Sequence, residues 1–142
     1  MMFAAGDAPS FAERCTAREN GLPSVSNRAL KPLPGWNPPA HPFWLTCTER
    51  VAKSVWGAGL GVLGRPQRIL AADEAQGLVL LSVVVDISGE VEDGPSLKVP
   101  EAFRVPSTYL RGVLLKVRND RIEHAETITR PVFFGLNDGW TD

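Results

Sequence analysis

Only two cysteines, two histidines and one tyrosine occur among the 142 residues of this chain, and each scarcity removes a class of function. Cys15 and Cys47 do not form a metal or redox spacing; whether they form one disulfide is left open by the sequence. His41 and His124 complete no ligand signature with them, so no metal is expected. No stretch approaches the roughly 20 apolar residues that span a bilayer, and no membrane partner is expected. The start, Met1-Met2-Phe3-Ala4-Ala5, is too short to supply the apolar run of a secretory signal, and no Asn-x-Ser/Thr sequon occurs. A soluble, cytoplasmic protein is the resulting expectation. A net charge of −1 gives no pull toward nucleic acid. Residues 1–71 carry +4 and residues 72–142 carry −5, an asymmetry that serves solubility and internal pairing. No G-x-S-x-G elbow is present to hold a hydrolase serine.

What remains is a chain with 44% hydrophobic residues, enough for one small core and too short for two comfortable domains. One domain over 1–142 is therefore expected. Met2 to Arg14 reads as a short helix broken near Gly6-Asp7-Ala8-Pro9, and Leu22 to Ser26 as a brief edge strand. Lys31 to Pro42 holds five prolines in twelve residues and must be irregular or polyproline-like. A helix is predicted over 43–56, with Pro42 in its first turn and Gly57 at its end. Its Phe43, Cys47, Val51, Val55 row lies beside Trp44, Ala52 and Trp56, opposite Thr46, Glu49, Arg50 and Lys53. Gly59-Leu-Gly61-Val-Leu-Gly64 matches G-x-G-x-x-G, but it follows a helix and precedes a strand, the reverse of a dinucleotide site. No cofactor is expected. Strands are predicted at 67–72 and 78–88, with a polar loop over 89–100.

The last third is the most informative. Tyr109 to Arg118 and Arg121 to Arg130 read as two strands joined by Asn119-Asp120, both tolerant of positive φ. Regular pairing sets Lys116 opposite Glu123, Leu115 opposite His124 and Val113 opposite Glu126. Alternation then places Val113, Leu115, Val117, Ile122 and Ile128 on one side with Arg111, His124 and Glu126. Lys116, Arg118, Arg121, Glu123, Thr127 and Thr129 take the wet side. Three ionisable groups on an apolar face must pair or line a cavity.

Asn119-Asp120-Arg121-Ile122-Glu123-His124-Ala125-Glu126 resembles the Asp-Gly-Lys-Ile-x-Glu-x-Glu strand of the nuclear transport factor 2-like, or SnoaL-like, superfamily. Ala5-Gly6-Asp7, Arg18-Glu19-Asn20-Gly21, Ser54-Val55-Trp56-Gly57 and Ala72 to Gly77 are similar to other parts of a small-domain subgroup of that fold. The resemblance implies an α+β fold: one strongly curved antiparallel sheet over 67–134, wrapped around the 43–56 helix to form a cone. It also implies a long first helix, of which residues 1–20 would be the remnant. His124 stands where that family often has Glu, and the proline-rich excursion is foreign to it.

On this reading His124, Glu126 and Arg111 are the candidate catalytic set. His124 would transfer a proton, Glu126 would orient it or act as the acid, and Arg111 would stabilise negative charge on oxygen. The structural alternative is an Arg111–Glu126 ion pair. Tyr109, Trp56 and Asp86 are the candidate ligand-binding residues, although Asp86 equally suits the end of its apolar strand. Two functions follow: an apolar pocket for a small hydrophobic or amphipathic molecule, with or without isomerase-, cyclase- or dehydratase-like proton transfer; or a non-catalytic dimerisation domain. A homodimer is expected, with Leu114, Ala125 and Thr127 near the contact.

Overall fold

The computed structural model of the protein describes residues 10–31, 42–52, 62–64, 67–90, 101 and 104–136. Asn119 and Asp120 are the turn of the long hairpin, as expected. Both have positive φ, 50° and 58°, the signature of a tight turn whose twist matches its strands. They join β6 (Ser107–Arg118) to β7 (Arg121–Phe133). β5 (Leu78–Ile87) pairs along the other side of β6 in unbroken antiparallel register from Leu78↔Lys116 to Ile87↔Ser107. The outer edge of β5 is covered in two pieces, by β3 (Val62–Gly64) toward one end and β4 (Arg68–Asp73) toward the other.

On the far side β7 pairs with β1 (Phe11–Glu19), and this pairing is parallel. The order is β2-β1-β7-β6-β5-β3, with β4 also on β5 and β2 being Leu22–Pro23. The fold is therefore a sheet-dominated one, a mixed sheet with, among the described residues, a single short α-helix, α1 (Cys47–Ala52), preceded by a 3-10 turn at Pro42–Trp44. The expected α+β cone is overturned by this architecture. Residues 11–19, expected as the remnant of a first helix, are strand. Their Cys15, Ala17, Glu19 alternate with Thr16 and Arg18 in burial, which is a period of two. Asn20 (φ 50°) and Gly21 (φ 80°) then turn the chain back into β2.

The helix begins later than Pro42 because Thr46 and Glu49 form a capping box. The Thr46 amide donates to Glu49 Oε2 at 3.0 Å, and the Glu49 amide donates to Thr46 Oγ1 at 3.3 Å. Trp44, expected on the helix's buried face, instead precedes α1 and is exposed, its indole N–H donating to the Leu30 carbonyl at 2.8 Å. Residues 32–41, 53–61 and 91–100 lie outside the described residues, and with them most of the proline-rich excursion, the end of the expected helix and the expected loop.

One irregularity in β7 decides which side chains face where. Val117 pairs with Ile122, but Lys116 pairs with His124, so Glu123 is an extra residue in its strand. Every residue beyond this bulge is shifted by one relative to regular pairing. The turn before β5 docks at the same place: the Val117 amide donates to the Gly77 carbonyl at 2.7 Å. A Cβ on Gly77 (φ 64°) would lie 2.1 Å from the Val117 carbonyl oxygen, so only glycine fits there.

The core lies on one face of the sheet, built by Leu81, Val83, Val85, Val113, Leu115, Ile122 and Ala125, with Phe11, Ala17 and Val79 packed against it. Buried Val25, Leu45 and Cys47 lie outside this sheet core, and α1 packs against β1. Among the described residues, no helix is long and apolar enough to cross a membrane.

Candidate functional site

Two arginines and one glutamate converge on the core face from three distant parts of the chain. Glu19 comes from the end of β1, Arg50 from α1 and Arg111 from the middle of β6. The Arg111 Nη2 donates to Glu19 Oε1 at 2.6 Å, and the Arg50 Nη2 donates to Glu19 Oε2 at 3.3 Å, so each guanidinium holds one carboxylate oxygen. Thr129 joins them: its hydroxyl donates to Glu19 Oε1 at 3.0 Å and accepts from Arg111 Nε at 3.2 Å. The side chains of Glu19, Arg50 and Arg111 are only 19%, 13% and 19% exposed.

Local structure explains the convergence. Asn20 forms the β1–β2 turn and accepts from the Thr129 amide at 2.8 Å, while its own amide donates to the Thr127 carbonyl at 2.8 Å. Glu19 is thereby held over β7. A disulfide between Cys15 and Cys47 fastens α1 to β1, with the two Cα atoms 6.0 Å apart. Arg50, three residues beyond Cys47, is held further by donating to the Ser24 carbonyl at 2.8 Å and by lying over the Phe43 ring, 5.4 Å from its centre.

Burial works to raise the pKa of the Glu19 carboxyl, but Arg111, Arg50 and the hydrogen bonds of Thr129 and Arg111 overcome it, and the net shift is downward. For Arg50 burial is the largest effect and lowers its pKa. Glu19 opposes this, Arg111 adds to it, and the result stays below the ordinary arginine value. Arg50 Nε is buried and, among the described residues, has no hydrogen-bond acceptor. Beside the cluster is a half-open cavity of about 60 Å³ lined by Glu19, Arg50, Arg111, Ser24 and Thr127, with apolar walls from Phe11, Ala17, Val25, Ala125 and the Cys47 end of the disulfide.

The trio expected from alternation is not brought together. Arg111 faces this recess, whereas the bulge at Glu123 turns His124 and Glu126 onto the opposite face, in the rows of Leu78–Lys116 and Leu80–Leu114. There His124 Nε2 donates to Glu126 Oε2 at 3.3 Å and Nδ1 lies 2.7 Å from the Thr16 hydroxyl, a consistent pairing if Nδ1 accepts. The expected Arg111–Glu126 pair is replaced by Arg111–Glu19. Tyr109 packs against the core, opposite Val85 and Pro131, and is not a wall of the recess. Asp86 is buried on the far face, where it accepts a hydrogen bond from Thr108, whose hydroxyl in turn accepts from the Gly135 amide. Trp56 lies outside the described residues. Glu19 and Arg50 were missed by sequence reasoning, although Asn20-Gly21 is a strong hairpin signal that would have made Glu19 a strand residue.

The model of the domain of unknown function DUF8021 matches residues 2–129. The chain belongs to the DUF8021 family. No curated protein and no solved structure matches it.

Proposed function

We propose that this DUF8021 domain binds a small molecule in the recess between α1 and the sheet, and holds it rather than transforms it. The observation that carries this reading is the composition of the recess: apolar walls around a few convergent, mutually ordered polar groups, the usual make-up of a ligand site. Proton transfer is less well supported, because His124 and Glu126 are on the other face and Glu19 is held ionised between two guanidiniums. A fragment screen read by amide chemical shifts tests the proposal. Binding should perturb Ala17, Ser24, Val25, Ala125 and Thr127 together; a screen whose hits all map elsewhere overturns it.

The far face supports a second reading, self-association as a homodimer. Leu80 and Leu114 are directly opposed there, Ile128 lies in the neighbouring row beside Gly112, and Leu114 and Ile128 are 41% and 69% exposed. The contact set expected from the sequence needs correcting. Leu114 belongs to this face, but Ala125 and Thr127 line the recess on the other.

The disulfide bears on compartment. Such bonds persist where the surroundings are oxidising and are rare in cytosol, so Cys15–Cys47 favours an oxidising compartment over the cytoplasmic expectation. Acid-quenched alkylation of the protein in its native cells would find no free thiol; two labelled cysteines would restore the cytoplasmic reading.

A further inference from the structure

The recess has an unbalanced charge. Two guanidiniums face one carboxylate, and among the described residues Glu19 is the only acid in contact with either. All three side chains are at least four-fifths buried, so water compensates the second positive charge poorly. Arg50 shows the shortfall directly, with its Nε buried and lacking an acceptor among the described residues. Glu19 cannot serve both cations more fully, since each of its oxygens is already engaged and one also accepts from Thr129.

We infer that the recess is built for a small organic monocarboxylate, seated as the second counter-ion of Arg50 and Arg111 with its apolar part against Phe11, Ala17, Val25 and Ala125. The inference rests on the reading of the recess as a ligand site and names the class of ligand. Three features select that class. The excess charge is a single unit, so a monoanion neutralises it while a phosphate dianion would leave a buried negative charge. Guanidinium donors are planar and match a carboxylate in its own plane. The walls are apolar apart from Ser24 and Thr127, which suits a hydrocarbon tail better than a sugar or a polyol. Size agrees: about 60 Å³ corresponds to roughly four to six water positions at about 10–15 Å³ each, room for a few heavy atoms, and the open side lets a longer tail continue outward.

The test uses sodium propionate, its neutral isostere propionamide, and sodium chloride at matched ionic strength, each titrated into the oxidised full chain while amide chemical shifts are followed. Propionate should give saturable shifts at Glu19, Ser24, Arg50, Arg111, Ala125 and Thr127, with an apparent Kd about tenfold or more below that of propionamide, since a charge-assisted pair is roughly twice as strong as a neutral one. Arg50→Gln should erase the preference for acid over amide. Should that variant fail to fold, the comparison of ligands on the unaltered protein decides alone. Equal binding of propionamide and propionate overturns the carboxylate inference and leaves the small-molecule reading standing. Chloride reproducing the same shifts at the same concentration also overturns it, reducing the recess to a simple anion nest. If neither organic probe shifts any recess amide, while unrelated fragments do, the ligand class is wrong; if no fragment does, both readings fall.

Discussion

Glu19 is the residue on which the recess depends, because it is the shared partner of two largely buried cations. Glu19→Gln keeps the shape of the side chain and removes its charge, leaving Arg50 and Arg111 repelling each other without a carboxylate. Breaking such a pair from one side costs about 3–5 kcal/mol when it is deeply buried, and here roughly 2–4 kcal/mol is expected given the remaining solvent contact. Urea denaturation checks it as a lowered midpoint at unchanged slope. The pH dependence has a definite sign. The folded-state pKa of Glu19 is depressed, so its contribution is fully present above the ordinary glutamate value and disappears as pH falls through the lowered one. The acid limb of stability against pH should therefore be shallower in Glu19→Gln than in the parent chain. Equal acid limbs would mean that Glu19 is not held ionised by the arginines.

At the scale of elements, α1 is six residues long and could not persist alone, since isolated helices this short are unstable in water. What holds it is the Thr46–Glu49 capping box at its start and the Cys15–Cys47 bond to β1. The bond closes a separation of 32 residues, worth about 3–4 kcal/mol in the chain-entropy account. Cys15→Ser with Cys47→Ser should lower stability by that order and loosen Arg50, seen as faster exchange of the Arg50 amide with solvent. Thr46→Ala should cost about 1 kcal/mol by removing the cap. The hairpin turn was legible as Asn119-Asp120, because it is a local signal read from side-chain chemistry. Thr46-x-x-Glu49 carries a signal of the same kind, but Pro42 was taken as the helix start and the capping box was missed. The bulge at Glu123 was not legible. Ile122 and Ile128 share parity in sequence, so strict alternation put both inside with His124 and Glu126; one inserted residue reverses parity, buries Ala125 and exposes Ile128. The parallel pairing of β1 with β7 was likewise invisible, since it joins segments over a hundred residues apart that share no local turn.

The molecule as a whole presents one sheet with two unlike faces. The core face buries its aliphatic residues and encloses the recess, whereas the other carries Leu80, Leu114 and Ile128 in the open among Arg18, Lys116, His124 and Glu126. Exposed aliphatic side chains scattered singly need no explanation, but three in adjacent rows around the flat spot of Gly112 form a patch of the kind that contacts a partner. If a second copy covers it, Leu114→Lys should weaken the dimer by an order of magnitude or more, because the lysine would face apolar surface across the contact, and Ile128→Lys should do the same. Sedimentation velocity at micromolar concentration reads this as a shift from dimer to monomer. Neither substitution should alter binding in the recess, since the two sites lie on opposite faces and distant substitutions with no shared partner act independently. A parent chain that sediments as a monomer at that concentration would remove the dimer while leaving the recess untouched. Loss of recess binding in Leu114→Lys would instead mean that the faces communicate through β6, the strand that carries both Leu114 and Arg111.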